Sequence, residues 1–165
     1  MSGFCDSSDF LKYEKGLISS DVFRDLIRGI GTNNLTDDQI DDAWNAMLVG
    51  IPVERMDLVT SIQGKYKLLV LSNTNAIHVK RFNQFLKENT GKSSLNDFFD
   101  VVYFSHEINM RKPDAEIFQF VLEENNLNPQ ETLFLDDNIM NLEAAERLGI
   151  QTQHIDHPNR LFEIF

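Results

Sequence analysis

The chain has 165 residues, 42% of them apolar and 25% charged, which is enough to bury a core and is ordinary for a globular domain. A formal net charge of -11 excludes the basic footprint that nucleic-acid binding requires, although a cleft can carry a local potential of opposite sign and take a small anion. Cys5 is the single cysteine, so an intrachain disulfide and a zinc ribbon are excluded; no apolar run reaches membrane-span length and the polar start "MSGFCDSSDF" has no signal-peptide core, so a cytosolic protein without a membrane partner is expected.

The first third reads as helices. Ser20 is placed to cap a stretch in which Val22, Phe23, Leu26, Ile27 and Ile30 share one helical face. After the polar break "GTNN", Thr36 and Gln39 form a capping-box pattern, and Ile40, Ala43, Trp44, Met47 and Leu48 make a second stripe. Pro52 suits the first turn of a third helix that runs to about residue 62, before Gly64.

At Lys67 the rhythm changes to strands alternating with helices: "KLLVLS" with "IHVKRFNQFLKEN", which Asn75 caps, then "VVYFS" with "PDAEIFQFVLEEN", whose inner face is Ile117, Phe118, Val121 and Leu122. "TLFL" with "IMNLEAAERLG" and a last strand "IQTQHI" complete the series. This predicts an α/β fold, a parallel sheet covered by helices, with strands near 67–71, 101–105, 132–135 and 151–155.

Ligands of an open parallel α/β sheet gather outside the carboxyl ends of its strands. Three polar clusters fall there: Ser72, Asn73 and Thr74 in "LLVLSNTN", Lys112 in "VVYFSHEINMRKPD", and Asp136 with Asp137 in "LFLDDN". Each has a plain structural reading, as turn and cap chemistry, as solvated charge, and as a cap for the helix near Ile139. His78 and His106 have no metal-ligand spacing and read as structural or surface residues. In combination, hydroxyl and amide donors with a lysine suit a phosphoryl group, and two hard carboxylates suit Mg²⁺, which would also relieve their mutual repulsion.

In this order along the chain the clusters resemble the haloacid dehalogenase (HAD) superfamily, mostly Mg²⁺-dependent phosphatases. "LLVLSNTN" looks like its second motif, "RKPDAEIF" its third and "LFLDDNIMNLEAAERLG" its fourth. "YEKGLISSDVFRDLI" and "DDAWNAML" are similar to cap helices of the small-helical-cap subgroup, which includes glucose-1-phosphatase-like enzymes and the phosphatase domain of epoxide hydrolases. The resemblance implies a helical cap over 1–63 and a Rossmann-like core over 64–165. It implies that Ser72, assisted by Asn73, binds the transferring phosphoryl group of a small phosphorylated substrate, while Lys112 neutralises that group and the nucleophile. Asp137 would ligate Mg²⁺ directly, Asp136 would act largely through a bound water, and Asn141 would brace the aspartate loop.

The superfamily's first motif, an apolar strand ending in Asp-x-Asp that supplies the nucleophile, has no counterpart here: Asp6 and Asp9 in "CDSSDF" have the wrong spacing. The 165-residue chain is therefore expected to be inactive and to be a truncated form of a longer protein. Its "KLLVLS" and "TLFL" strands should not pair directly, leaving Leu69, Leu71 and Phe134 without partners and the chain open to self-association. The rival from another class is a non-catalytic phosphate- and Mg²⁺-binding or regulatory module on the same scaffold. Dehalogenase or phosphonatase chemistry is a further alternative, whereas a response-regulator receiver domain has its acidic pair first and its lysine last, the reverse of the order here.

Overall fold

The computed structural model describes residues 7–31 and 34–165. The chain divides into two compact units, Met1–Asn109 and Met110–Phe165. It is α/β with parallel strands.

The first unit opens with four helices, α1 (Ser7–Glu14), α2 (Ser20–Ile30), α3 (Asp37–Asn45) and α4 (Val53–Ile62). The cap of α2 is Ser19, not Ser20: its side chain accepts from the Val22 amide at 3.3 Å. Ser20 is diverted because its hydroxyl lies 2.8 Å from that of Tyr13 on α1. Tyr13 is 2% exposed and stacks on Phe23 at 4.2 Å, and Phe23 in turn meets Trp44 of α3 at 4.8 Å. The apolar stripe of α2 is narrower than its spacing suggests, since Val22 and Ile30 are exposed while Phe23 is fully buried. The second stripe is narrower too: Ile40 is buried, but α3 ends at Asn45 and Met47 beyond it is exposed.

Polar contacts fix the helices' ends and spacing. Arg24 forks onto both oxygens of Asp41 at 2.8 and 2.9 Å, tying α2 to α3. At the start of α3, Thr36 Oγ1 accepts from the Gln39 amide while Gln39 Oε1 accepts from the Thr36 amide. Each of these bonds satisfies an amide that the helix cannot. Thr36→Ala should therefore lower stability by about 1 kcal/mol in urea unfolding; an unchanged midpoint would mean that water replaces the box without cost.

The α/β part of this unit follows as β1 (Leu69–Ser72), α5 (Ala76–Thr90), β2 (Val101–Phe104) and a single turn, α6 (Ser105–Ile108). β1 and β2 pair in parallel, Leu69 opposite Val101 and Ser72 opposite Phe104. Val70, Phe82, Val102 and Phe104 pack on a core of Ile51, Met56, Leu86, Leu95 and Phe98.

The second unit holds α7 (Ala115–Glu124), β3 (Leu133–Asp136), α8 (Ile139–Glu146), β4 (Gln151–His154) and α9 (Leu161–Ile164). β3 and β4 are parallel, with Asp136 opposite His154. The core here is Ile117 and Phe118 of α7 with Leu142, Ala144 and Ala145 of α8. Two small residues in a row let α8 sit close to β3 and β4. The strands thus stand in two two-stranded ladders, and no ladder joins β1 to β3 among the described residues. Phe134 departs from expectation: it is not without partners, since its ring packs edge-on against Phe118 at 5.3 Å. No helix among the described residues is long and apolar enough to cross a membrane.

Candidate functional site

Each unit carries part of the predicted set. In the second unit, Lys112, Asp136 and Asn141 come together at the end of β3. Lys112 precedes α7, and its Nζ lies 2.7 Å from Asp136 Oδ2, with side-chain exposures of 10% and 6%. Lys112 is therefore buried, and the reading of it as a solvated charge does not hold. Asp136 Oδ1 accepts from the Asn138 amide at 2.8 Å and from Asn141 Nδ2 at 3.0 Å. Burial alone would raise the Asp136 carboxyl; the Lys112 ammonium and the two amide donors outweigh it and hold the group below the usual carboxylate range.

The adjacent aspartates are not equivalent. Asp136 is buried and committed to Lys112, Asn138 and Asn141, while Asp137 is exposed. Neither supplies the side-chain cap of α8, because Asn138 Oδ1 accepts from the Met140 amide at 2.9 Å. The Asp137 carbonyl lies 3.1 Å from His154 Nε2.

In the first unit, Ser72 ends β1 and leads through Asn73 and Thr74 to Asn75, the cap of α5. Asn75 is 2% exposed; its Oδ1 accepts from the His78 amide at 3.0 Å, and its Nδ2 lies 3.2 Å from His78 Nδ1. His78 Nε2 lies 3.2 Å from the Trp44 carbonyl, and the two rings stack at 5.3 Å. Burial lowers the His78 imidazole below its ordinary range against the pull of that carbonyl, and its contacts brace α3 against α5. A cavity of about 260 Å³ lies beside the loop, lined by Ser72, Asn73, Thr74 and His78 and by apolar side chains such as Val70 and Phe82.

Sequence reasoning passed over Ser105. It is fully buried and accepts from the Thr74 amide at 2.9 Å. The available signal was its position directly after an apolar strand, the same setting that singles out Ser72.

Chemically, the loop after β1 presents hydroxyl and amide groups, and the end of β3 presents one compensated and one exposed carboxylate. Among the described residues no group of three or more His, Cys, Asp or Glu side chains forms a cage for a metal. Asp137 beside Asp136 instead suits a hard cation that keeps several waters and draws its remaining ligands from phosphate oxygens, the habit of Mg²⁺.

Comparison with known proteins supplies the lineage. The profile of the family described as haloacid dehalogenase-like hydrolase matches residues 57–155. The chain belongs to the haloacid dehalogenase-like hydrolase family. This HAD chain is 30% identical over 143 residues to D-ribitol-5-phosphate phosphatase of Bacteroides thetaiotaomicron, an alignment spanning 87% of the chain and 69% of that enzyme. It superposes with a TM-score of 0.86 and 40% identity on a crystal structure of a HAD family enzyme of B. thetaiotaomicron in complex with magnesium and inorganic phosphate, covering 97% of this chain and 82% of that one. A HAD-like hydrolase of Porphyromonas gingivalis superposes with a TM-score of 0.79 and 35% identity, covering 88% and 70%.

Proposed function

We propose that these residues serve the hydrolysis of a small phosphorylated metabolite in the cytosol, with Mg²⁺ as cofactor, by a phosphatase of the HAD family. The observation that carries this reading is the end of β3, where a buried Lys112–Asp136 pair stands beside the exposed carboxylate of Asp137. The relative whose name is D-ribitol-5-phosphate phosphatase and the magnesium and phosphate complex of a solved relative support it.

In this reading the Ser72 hydroxyl and the Asn73 amide bind phosphoryl oxygens. Lys112 neutralises charge on the transferring group, and Asp136 and Asn141 hold Lys112 and the aspartate loop in place. Asp137 takes Mg²⁺ directly, and Asp136, already committed to Lys112, acts on it through water. Bound Mg²⁺ supplies electrostatic neutralisation of the phosphate. Residues 1–63 act as the helical cap that selects substrate, and 64–165 as the catalytic core.

The nucleophile is a separate matter. Residues 1–165 contain no apolar strand ending in Asp-x-Asp, and an aspartyl-phosphate route requires one. The 165-residue polypeptide is accordingly expected not to hydrolyse p-nitrophenyl phosphate or D-ribitol 5-phosphate with Mg²⁺ present. Joining a segment that carries the motif ahead of residue 1 should confer Mg²⁺-dependent release of phosphate. Turnover by the 165 residues alone would place the nucleophile elsewhere. Persistent inactivity of the extended protein, with Mg²⁺ and phosphate still bound, would favour the non-catalytic module.

A further inference from the structure

We propose that Ser105 is a positioning residue, whose hydroxyl fixes the main chain of the Ser72–Thr74 loop and couples it to the end of α1. The inference rests on the reading that this loop receives the phosphoryl group.

The hydroxyl stands among three main-chain groups. It accepts from the Thr74 amide at 2.9 Å and lies 2.6 Å from the Glu14 carbonyl and 3.0 Å from the Thr74 carbonyl. One hydroxyl has one proton, so it donates to one carbonyl at a time, and the shorter distance favours Glu14. Glu14 is the last residue of α1, where carbonyls lack helical partners. Ser105 is fully buried, so water has no access to replace the hydroxyl. Deleting it would remove at once the acceptor of a main-chain amide at the loop and a donor to a helix-end carbonyl.

The chain after Glu14 is shaped to reach this hydroxyl. Asn109 Nδ2 donates to the Lys15 carbonyl at 2.8 Å. Gly16 has a φ of +65°, and a Cβ there would lie 2.0 Å from the His106 carbonyl oxygen. Only glycine permits that approach. Residues 14 to 16 therefore dock along α6, with Ser105 at one end of the contact and Asn109 at the other. Ser105 acts through the backbone of Thr74, which sets the direction in which the loop presents its amides.

The test follows amide shifts of Ser72, Asn73 and Thr74 as orthophosphate is added to the 165-residue protein in Mg²⁺, at temperatures where every variant is folded. Ser105→Ala should weaken phosphate binding about tenfold, with Ser105→Cys, a weaker hydrogen-bond former, in between. Gly16→Ala, which alters no loop residue, should weaken it comparably, and the double variant should bind about as well as either single one. Thr36→Ala, destabilising at a distant cap, should leave the affinity unchanged, which separates positioning from general loss of stability. If Ser105→Ala does not fold, Ser105→Cys and Gly16→Ala decide. Unaltered affinity in the folded variants, or additive losses in the double one, would overturn the coupling while leaving the phosphate reading standing. If the wild-type loop shows no response to phosphate, the reading itself falls, and the inference with it.

Discussion

Replacing Lys112 with methionine is expected to destabilise the Met110–Phe165 unit by about 3–5 kcal/mol at neutral pH. Methionine keeps most of the apolar stem that packs near Phe134, whose ring lies 5.3 Å from Nζ, but removes the ammonium. Asp136 then keeps its two amide donors and loses the opposite charge of Lys112. A buried carboxylate so stranded either stays ionised at high cost or takes up a proton.

The size of the effect should depend on pH, and its direction follows from the wild-type group. The folded-state value of Asp136 is depressed, so its contribution is fully present above the unfolded value of about 3.9 and is lost as pH falls through the lower folded value. In the variant, burial without Lys112 raises the same group, and protonation relieves the penalty. The two proteins should therefore differ most near pH 7 and converge below roughly pH 4. Urea unfolding between pH 3 and 8, followed by amide signals of this unit, measures the difference directly. A gap of constant size across that range would show that lost packing, not charge, accounts for it.

The parts of the fold that were legible in the sequence were those set by near neighbours. The box at Thr36 and Gln39 and the cap at Asn75 need only residues three positions apart, and both stand as read. The choice between Ser19 and Ser20 was not local, because Tyr13, on another helix, occupies the second hydroxyl. The single turn α6 is too short to show periodicity, which hid Ser105. The aspartate pair was visible, and the resemblance gave its two members different roles toward Mg²⁺, but not the burial of Asp136 against Lys112. A strand's period of two puts Phe134 and Asp136 on one face, and Lys112 meets both. That face could have been read from "LFLDD"; its partner, 24 residues earlier in a segment without periodicity, could not.

The two aspartates should separate stability from metal binding. Asp136→Asn keeps the shape but removes the charge that Lys112 opposes, and a loss of about 3 kcal/mol or more is expected from the ammonium left buried. Asp137→Asn alters an exposed group and should change stability by no more than about 0.5 kcal/mol without added metal. Added Mg²⁺ separates the two roles. A ligand that binds only the folded chain stabilises it by RT ln(1 + [L]/Kd); about 10 mM Mg²⁺ against a Kd of about 1 mM gives about 1.4 kcal/mol. In a domain of this size that raises Tm by about 3–5 °C. Asp137→Asn should abolish this increment while melting like the wild type in chelator, whereas Asp136→Asn should melt early under both conditions. Thermal unfolding of the three proteins with EDTA and with Mg²⁺ reads both quantities. A full Mg²⁺ increment in Asp137→Asn would remove that carboxylate from the metal site. An Asp136→Asn protein as stable as the wild type would mean that Lys112 has found another partner, and the ion pair would lose its place as the support of the aspartate loop.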